Sequence, residues 1–538
     1  MDTTSCTEAH SPNLSISSMT DTENNPTKEC SNHPSGAKAK DADRPQPVYS
    51  HPSTSFSLDE PEPEAIPIPS ARISFILPQN LSLSLIELFF DKIHPWLPML
   101  HRPRFLARYQ DRLNSKSHFW EDLPVDEALL LYSMFALSAR FSSSDFFDDV
   151  APIERGTRFL PEAKALYEQA RAIVAPTLTY LQGCIALAFY YYTSEPCPQS
   201  WILTGICVRI AYELDLADID ADESQNLTPE EWVAKEEMRR AWWLVWELDT
   251  FGSTMSNRPY TIDRRRMAVM LPAPDEAWFA EAPQPSIKLN TCPGQSWRSL
   301  QGCERLDERA WFLFANYLMS LTLDMSQRID TVSADEKLTL ENEINCFKLS
   351  LPAPFRLETE VLTFDSESFA RSNWIIGTNL MLMTTSVFLS SIRVVETGRS
   401  NASESSANMD LPLRVRAMEL SRIVTRWSPG YICLSHPFFA AATMLPVHLS
   451  DDSNPTSQPI IASSQELGRR LLAQFGEVWK LGSVLLRRSW PSTRVRHANK
   501  ARSCDDPRKL QEALPRRSPP CSTLRSLLPS IRQKCQHH

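Results

Sequence analysis

Glu236–Ile262 reads EEMRRAWWLVWELDTFGSTMSNRPYTI. Its first eleven residues hold two acids, two arginines and three tryptophans, and a polar turn then leads into Arg258-Pro259. On a helix Arg239, Trp242, Trp243 and Trp246 lie three and four residues apart and share one broad face. An aromatic stripe at that spacing reads first as core, because indole rings bury more area than other side chains. Charges beside such a stripe then need partners, since an unpaired buried charge is costly. The rival reading makes the same aromatics the lining of a small-molecule pocket.

The pattern around this stretch is helical as well. LSLSLIELFFDKIHPWL, broken at His94-Pro95, shows the helical apolar period. So do DEALLLYSMFALSARF, PEAKALYEQARAIV with Pro161 in its first turn, TYLQGCIALAFYYYT and WILTGICVRIAYELDL. Further helices are expected at DERAWFLFANYLMSLTLDMSQRI, SNWIIGTNLMLMTTSVFLSSIRVV, RVRAMELSRIV and FFAAATMLPVHL, and one long helix at ELGRRLLAQFGEVWKLGSVLLRR. Alternating strand patterns are nearly absent. Glycine is scarce, 13 in 538 residues, where ordinary usage is about 7%. The fold class is therefore all-α.

The ends differ from this helical middle. Residues 1–70 are Pro- and Ser-rich and acidic, so they are expected to form a disordered leader. Residues 71–490 form the expected helical domain, with polar surface loops at TGRSNASESSANMDLP and SDDSNPTSQP. Residues 491–538, with RVRHANKAR and PRRSPP, form a basic tail, although the whole chain carries −10. Such a tail binds acidic surfaces, including an importin groove or nucleic-acid phosphate, and its phosphate binding is weak and non-specific.

No C-x-x-C pair occurs among the 12 cysteines, so the reading is reduced thiols with neither a zinc nest nor a disulfide scaffold. The first residues lack the apolar stretch of a secretory signal. The longest apolar run, from Cys184, is about half of what spans a bilayer. The expectation is an intracellular, soluble protein without membrane contact.

Catalytic grammar is also missing: no G-x-G-x-x-G, phosphate loop, G-x-S-x-G elbow or H-E-x-x-H occurs. His94 and His101 flank a helix break without ligand-spaced partners, so they read as core or solvated histidines rather than metal ligands. The acid cluster Asp145, Asp148 and Asp149 suggests the magnesium site of an all-α terpene-type synthase. It follows a helix end and has no second magnesium motif downstream. No catalytic residue, cofactor or metal is therefore assigned.

The residues also resemble a known family. Glu236, Arg239-Arg240, Trp242-Trp243, Leu248-Asp249, Ser253, Asn257-Arg258-Pro259, Ile262-Asp263 and Leu271-Pro272 resemble the signature of the fungal-specific transcription factor domain. That domain is the middle homology region of fungal zinc-cluster regulators. FFDKIHPWLPMLHRPRF, with Phe89, His94 and Pro95, resembles the family's opening block. WILTGICVRIAYELDL, with Trp201, Gly205 and Arg209, resembles a second block, and SHPFFAAATML has a family look. Departures occur at Asn257 and Asp215, where the family has glycine, and at Ala217, where it has histidine. Asn and Asp both tolerate the left-handed conformation, so these two exchanges are mild.

The resemblance implies a regulator of a metabolic or secondary-metabolite gene cluster, acting in a fungal nucleus. It implies a homodimer or other transcription factors as partners, and a small-molecule effector. It also implies a six-cysteine, two-zinc DNA-binding module at the front, whereas only Cys6 and Cys30 precede residue 184. The expectation is thus a regulatory domain without its own DNA reader, working through a partner, through weak DNA contact by the basic tail, or as an incomplete gene model. A helical adaptor acting only through protein partners is the alternative, and the terpene-type enzyme the third. The signature residues are expected to be structural, with Arg209 pairing with Glu236, Glu237 or Asp249.

Overall fold

The computed structural model describes residues 68–489, apart from 116–118, 121, 174, 195, 223–226, 301–305, 359–360, 395–409 and 445–457. The basic tail lies outside these residues, as do all but the last three residues of the leader and most of the two polar loops. In chain order the helices are α1 Gln79–Leu88, α2 Arg102–Ser115, α3 Val125–Ser138, α4 Leu160–Ala170, α5 Leu178–Ser194 and α6 Pro198–Glu213. There follow α7 Pro229–Ser256, α8 Asp275–Phe279, α9 Glu308–Gln327, α10 Ala334–Ser350 and α11 Phe369–Ser391. The last are α12 Asp410–Thr425, α13 Pro429–Ile432, α14 Phe439–Ala442, α15 Gln458–Gly476 and α16 Lys480–Ser489. Extended pairing among the described residues is confined to isolated bridges: Ser70 with Pro124, Met270 with Lys288, and Val332 with Val394. The protein is all-α.

The helix ends follow from local chemistry. α7 starts in a capping box: Thr228 Oγ1 accepts from the Glu231 amide at 3.3 Å, and Glu231 accepts from the Thr228 amide at 2.8 Å. Pro229 occupies its first turn, where no amide hydrogen is needed. At the other end Asn257 takes φ 52°, and after α6 Asp215 takes φ 53°. Both positions where glycine was expected are left-handed, and Asn and Asp are the residues besides glycine that adopt this conformation most readily.

Two expected helices came out differently. FFAAATMLPVHL yields only the single turn of α14 before residues 445–457, which lie outside the description. The run ELGRRLLAQFGEVWKLGSVLLRR breaks into α15 and α16. Its break sits where Gly476 and Gly482 meet: a β-carbon on Gly482 would lie 2.6 Å from the Gly476 nitrogen. Periodicity continues through such a corner, because the backbone contact that forces it leaves the apolar spacing intact. Conversely α10 was not expected, although Ser333 and Glu336 form its capping box.

One hydrophobic cluster runs from Ala71 to Leu481. Within it α3 packs on α4 and α5, α5 on α6, α6 on α7, and α9 along α11. α11 is long and apolar enough to cross a membrane by length and composition, yet 78% of its apolar window is buried inside the fold. That burial marks a core helix. The last helices close the same cluster. The Trp479 ring stands edge-on to Trp96 at 5.5 Å, and its Nε1 donates to the Cys433 carbonyl at 2.8 Å. The Arg140 guanidinium stacks on the Trp479 ring at 4.2 Å.

Candidate functional site

The tryptophan segment is the second half of α7, and its aromatics are core. Trp242, Trp243 and Trp246 are all fully buried. Trp243 Nε1 donates to the Met270 carbonyl at 2.8 Å, and its ring meets Trp246 edge-on at 5.7 Å. Trp242 meets Tyr212 of α6 at 5.7 Å.

The charges on α7 fasten a return strap, residues 258–275, to the helix. Glu236 is fully buried and accepts from Arg239 at 3.3 Å, Arg240 at 3.0 Å and the Ala273 amide at 2.8 Å. Arg239 reaches away from Glu236 in a two-pronged contact with Asp220, at 2.8 and 2.7 Å. Lys235 adds a second cation to Asp220 at 3.2 Å. Burial alone would raise the Asp220 carboxyl; Arg239 and the Met270 amide outweigh it and hold the group below its ordinary range. Arg240 donates to the Ala273 carbonyl at 2.6 Å and to Asp275 at 2.5 Å, and lies over the Trp278 ring at 4.0 Å. Further along, Asp249 accepts from the Thr261 and Ile262 amides at 3.0 and 3.1 Å. Arg264 folds back between the rings of Trp246 and Tyr260, at 4.4 and 3.9 Å, with Asp249 3.6 Å away.

This arrangement explains why acids, arginines and tryptophans crowd into one segment. A buried cation is tolerated only with counter-charges and acceptors around it. Here each of Arg239 and Arg240 has both, and the strap that supplies them is thereby fixed on the helix. Ser253 completes the strap's first turn: its carbonyl accepts from the Arg258 amide at 3.0 Å and its hydroxyl donates to the Pro259 carbonyl at 3.2 Å. Leu271 and Pro272 are buried where the strap continues, and the Leu271 amide donates to the Ile287 carbonyl.

The structure corrects the expected role of Arg209. Its side chain is exposed and donates to the Gly205 carbonyl one turn back on α6, at 3.2 Å. The buried positions of α6 include Leu203, Cys207, Ile210 and Ala211, which places Arg209 on the outer face of α6. Glu236 and Asp249 take their cations from Arg239, Arg240 and Arg264 instead, and Glu237 accepts from Gln182 at 2.7 Å. Trp201 also reaches the surface, where Arg258 covers its ring at 4.2 Å. The signature residues of α6, α7 and the strap thus divide into a buried set on α7 and the later part of the strap, and an outer set of exposed Trp201, Arg209 and Pro259 with half-buried Gly205 and Arg258.

In the opening block Phe89 is buried in a π-helical turn that extends α1, and Pro95 follows it half-buried. His94 Nε2 donates to the Leu100 carbonyl at 2.8 Å, and His101 Nε2 donates to the Trp278 carbonyl at 2.9 Å. Both are core histidines. Burial lowers the His94 imidazole to about 4, well under the 6.5 of the unfolded chain. The unfolded state therefore binds a proton that the folded state refuses, and stability is lost as pH falls from 6.5 towards 4. His94→Gln lacks this component. Between pH 7 and pH 4 the stability advantage of the native chain over it is expected to shrink by roughly 3 kcal/mol in urea titrations. A pH-independent difference would show that His94 is not buried neutral.

Asn257 gives a second, smaller test. Its left-handed backbone and its 2.7 Å bond from Gln327 are both lost to alanine, at a cost of about 1–2 kcal/mol. Asn257→Gly should keep most of the stability; equal melting of the alanine variant and the native chain would contradict the assigned backbone.

Asp145, Asp148 and Asp149 are all exposed, on and beside a short turn. Sequence reading missed Asp220, Arg264, Asp275 and Trp278, the partners that make the α7 charges tolerable. It also missed Glu247, Arg309 and His436, which meet deep in the core. DEAWF, an acid just before an apolar pair, was the one local signal for a short helix at 275–279.

Transcription factor tazR of Aspergillus terreus is 24% identical over 224 residues, covering 40% of this chain and 32% of that protein. The pigment biosynthesis transcriptional activator pigB of Monascus ruber is 27% identical over 202 residues, 37% of this chain and 34% of the relative. The tropolone cluster transcription factor tropK of Talaromyces stipitatus is 27% identical over 192 residues, 35% and 32%. The chain thus spans about a third of the length of these relatives. No solved structure matches. The matched family is described as the fungal specific transcription factor domain, and its match opens at the end of α1 and closes within α10, taking in the π-turn, the strap and all of α7. Residues 86–348 of this chain match the fungal specific transcription factor domain.

Proposed function

We propose that the chain regulates transcription of a secondary-metabolite gene cluster in a fungal nucleus, and that it is not an enzyme. The observation carrying this reading is the domain match at 86–348, centred on a segment whose charged and aromatic residues are used up in holding the fold. Relatives named for pigment and tropolone biosynthesis support the cluster assignment. The helical domain, proposed as residues 71–490, serves as the regulatory part. Its partners are other transcription factors or a second copy, and specific DNA contact is indirect, through a partnering regulator. The basic segment 491–538 adds non-specific phosphate attraction and the import signal.

The test is genetic. Deleting the gene in the source fungus should silence one group of adjacent biosynthetic genes together, and reintroducing the full chain should restore them. Transcripts that are unchanged under conditions where clusters are expressed would refute the proposal. In the same strain a fluorescent fusion of the full chain is expected in the nucleus, and removal of 491–538 is expected to shift it to the cytoplasm.

A further inference from the structure

The outer face of α6 carries apolar groups that the fold does not cover. Trp201 is 36% exposed, Ile202 55% and Tyr212 38%. No other helix among the described residues exposes three large apolar side chains. Gly205, Arg209 and Glu213 lie on the same side: at 3.6 residues per turn, all six positions fall within about a third of the circumference. Gly205 stands in the middle of this face, although glycine weakens a helix interior. The fold gives no reason for it, because a β-carbon there would meet only Arg209 Nη1, at 3.6 Å. At Gly183, Gly252 and Gly377, inside α5, α7 and α11, a β-carbon would instead come to 2.9, 2.3 and 2.2 Å from a packed side chain. Gly205 therefore leaves a dent on the outside of α6.

The order of residues on this face makes it complementary to itself. Trp201 and Glu213, Ile202 and Tyr212, and Gly205 and Arg209 are each equidistant from position 207. We propose that the chain forms a two-fold dimer through this face, with α6 antiparallel on α6 of a second copy and the axis at the level of residue 207. A symmetric interface needs one patch that complements itself, and each of these pairs then meets across the axis. Ile202 packs on the partner's Tyr212. Arg209 fills the dent at the partner's Gly205. Glu213 reaches the partner's Trp201, where the partner's Arg258 supplies a cation.

The charges single out a second copy as the occupant. Arg258 of the strap lies over the Trp201 ring at 4.2 Å, and neither it nor Glu213 forms an ion pair among the described residues. The antiparallel pairing brings these two opposite charges together twice, once on each side of the axis. One helix face per copy is at the small end of specific interfaces, so the dimer is reversible, with a dissociation constant of roughly micromolar order.

The dimer deepens the regulatory reading by fixing its partner and rests on it for biological sense, but its test needs no DNA. Sedimentation equilibrium of the purified full chain should show reversible exchange between monomer and dimer. Gly205→Leu fills the dent at a position with open space around it, so the variant should keep the native helical circular dichroism. Its dissociation constant should nevertheless rise about tenfold or more, as overpacking a close contact does. Glu213→Arg and Arg258→Glu each set like charges opposite one another and should weaken the dimer. The double variant restores opposite charges and should regain most of the native affinity. A chain that stays monomeric across the micromolar range overturns the proposal, as does a dimer indifferent to Gly205→Leu, which forms elsewhere. Failure of the double variant to regain affinity overturns the antiparallel pairing. A dimer sensitive to Gly205→Leu, together with unchanged transcripts in the deletion strain, leaves the interface standing and removes the regulatory reading.

Discussion

A chain ending at residue 348, where the family match stops, is expected not to fold. α9 lies inside the match, but its longest packing partner, α11, lies beyond it. Glu247 and Arg309 face His436, and Trp96 faces Trp479, so partners on both sides of residue 348 share one core. Uncovering each large apolar side chain costs about 1.5–3 kcal/mol. The net stability of a domain is only about 5–15 kcal/mol, so losing a handful of such contacts is enough to unfold it. Residues 68–489 should unfold in a single cooperative urea transition, whereas residues 1–348 should aggregate or show no transition. A soluble 1–348 chain with a sharp transition would show that the matched region is a folding unit by itself.

Glu236→Ala carries the second large effect. The carboxylate touches two buried guanidiniums and the Ala273 amide, so its removal leaves charge in the core that water cannot reach. Arg239 keeps Asp220 and Arg240 keeps Asp275, which limits the damage without cancelling it. Breaking a buried ionic contact from one side typically costs about 3–5 kcal/mol. Equilibrium urea unfolding of the full chain measures this directly. A variant within about 0.5 kcal/mol of the native chain, as is usual for surface changes, would mean that Glu236 is hydrated.

Much of this was readable from residue spacing. The helical class followed from three- and four-residue apolar periods, and the burial of Trp242, Trp243 and Trp246 from their shared face. The left-handed ends at Asp215 and Asn257 followed from the family resemblance, which has glycine at both positions, and from the tolerance of Asp and Asn for that conformation. The ion partners were not readable, because Asp220 and Asp275 lie 16 residues before Glu236 and 39 after it, within segments of no regular period. The assignment of Arg209 failed for a different reason. Leu203, Cys207 and Ile210 define the inner face of α6, and counting from them already puts Arg209 outside. The outer set of signature residues shows the converse limit: a motif groups residues by position in the chain, and the fold separates them by face. The corner at Gly476–Gly482 depends on backbone approach, which leaves no trace in local sequence.

The central claim is that α7, from Ala241 to Gly252, is the most stable part of the fold and not a mobile binding element. Native-state hydrogen exchange of these amides, followed against urea concentration, tests it most directly. The amides from Ala241 to Gly252 should exchange only through global unfolding, with the same urea dependence as the whole transition. Exchange of those amides at a rate insensitive to urea, as expected of a frayed or locally opening helix, would contradict the claim.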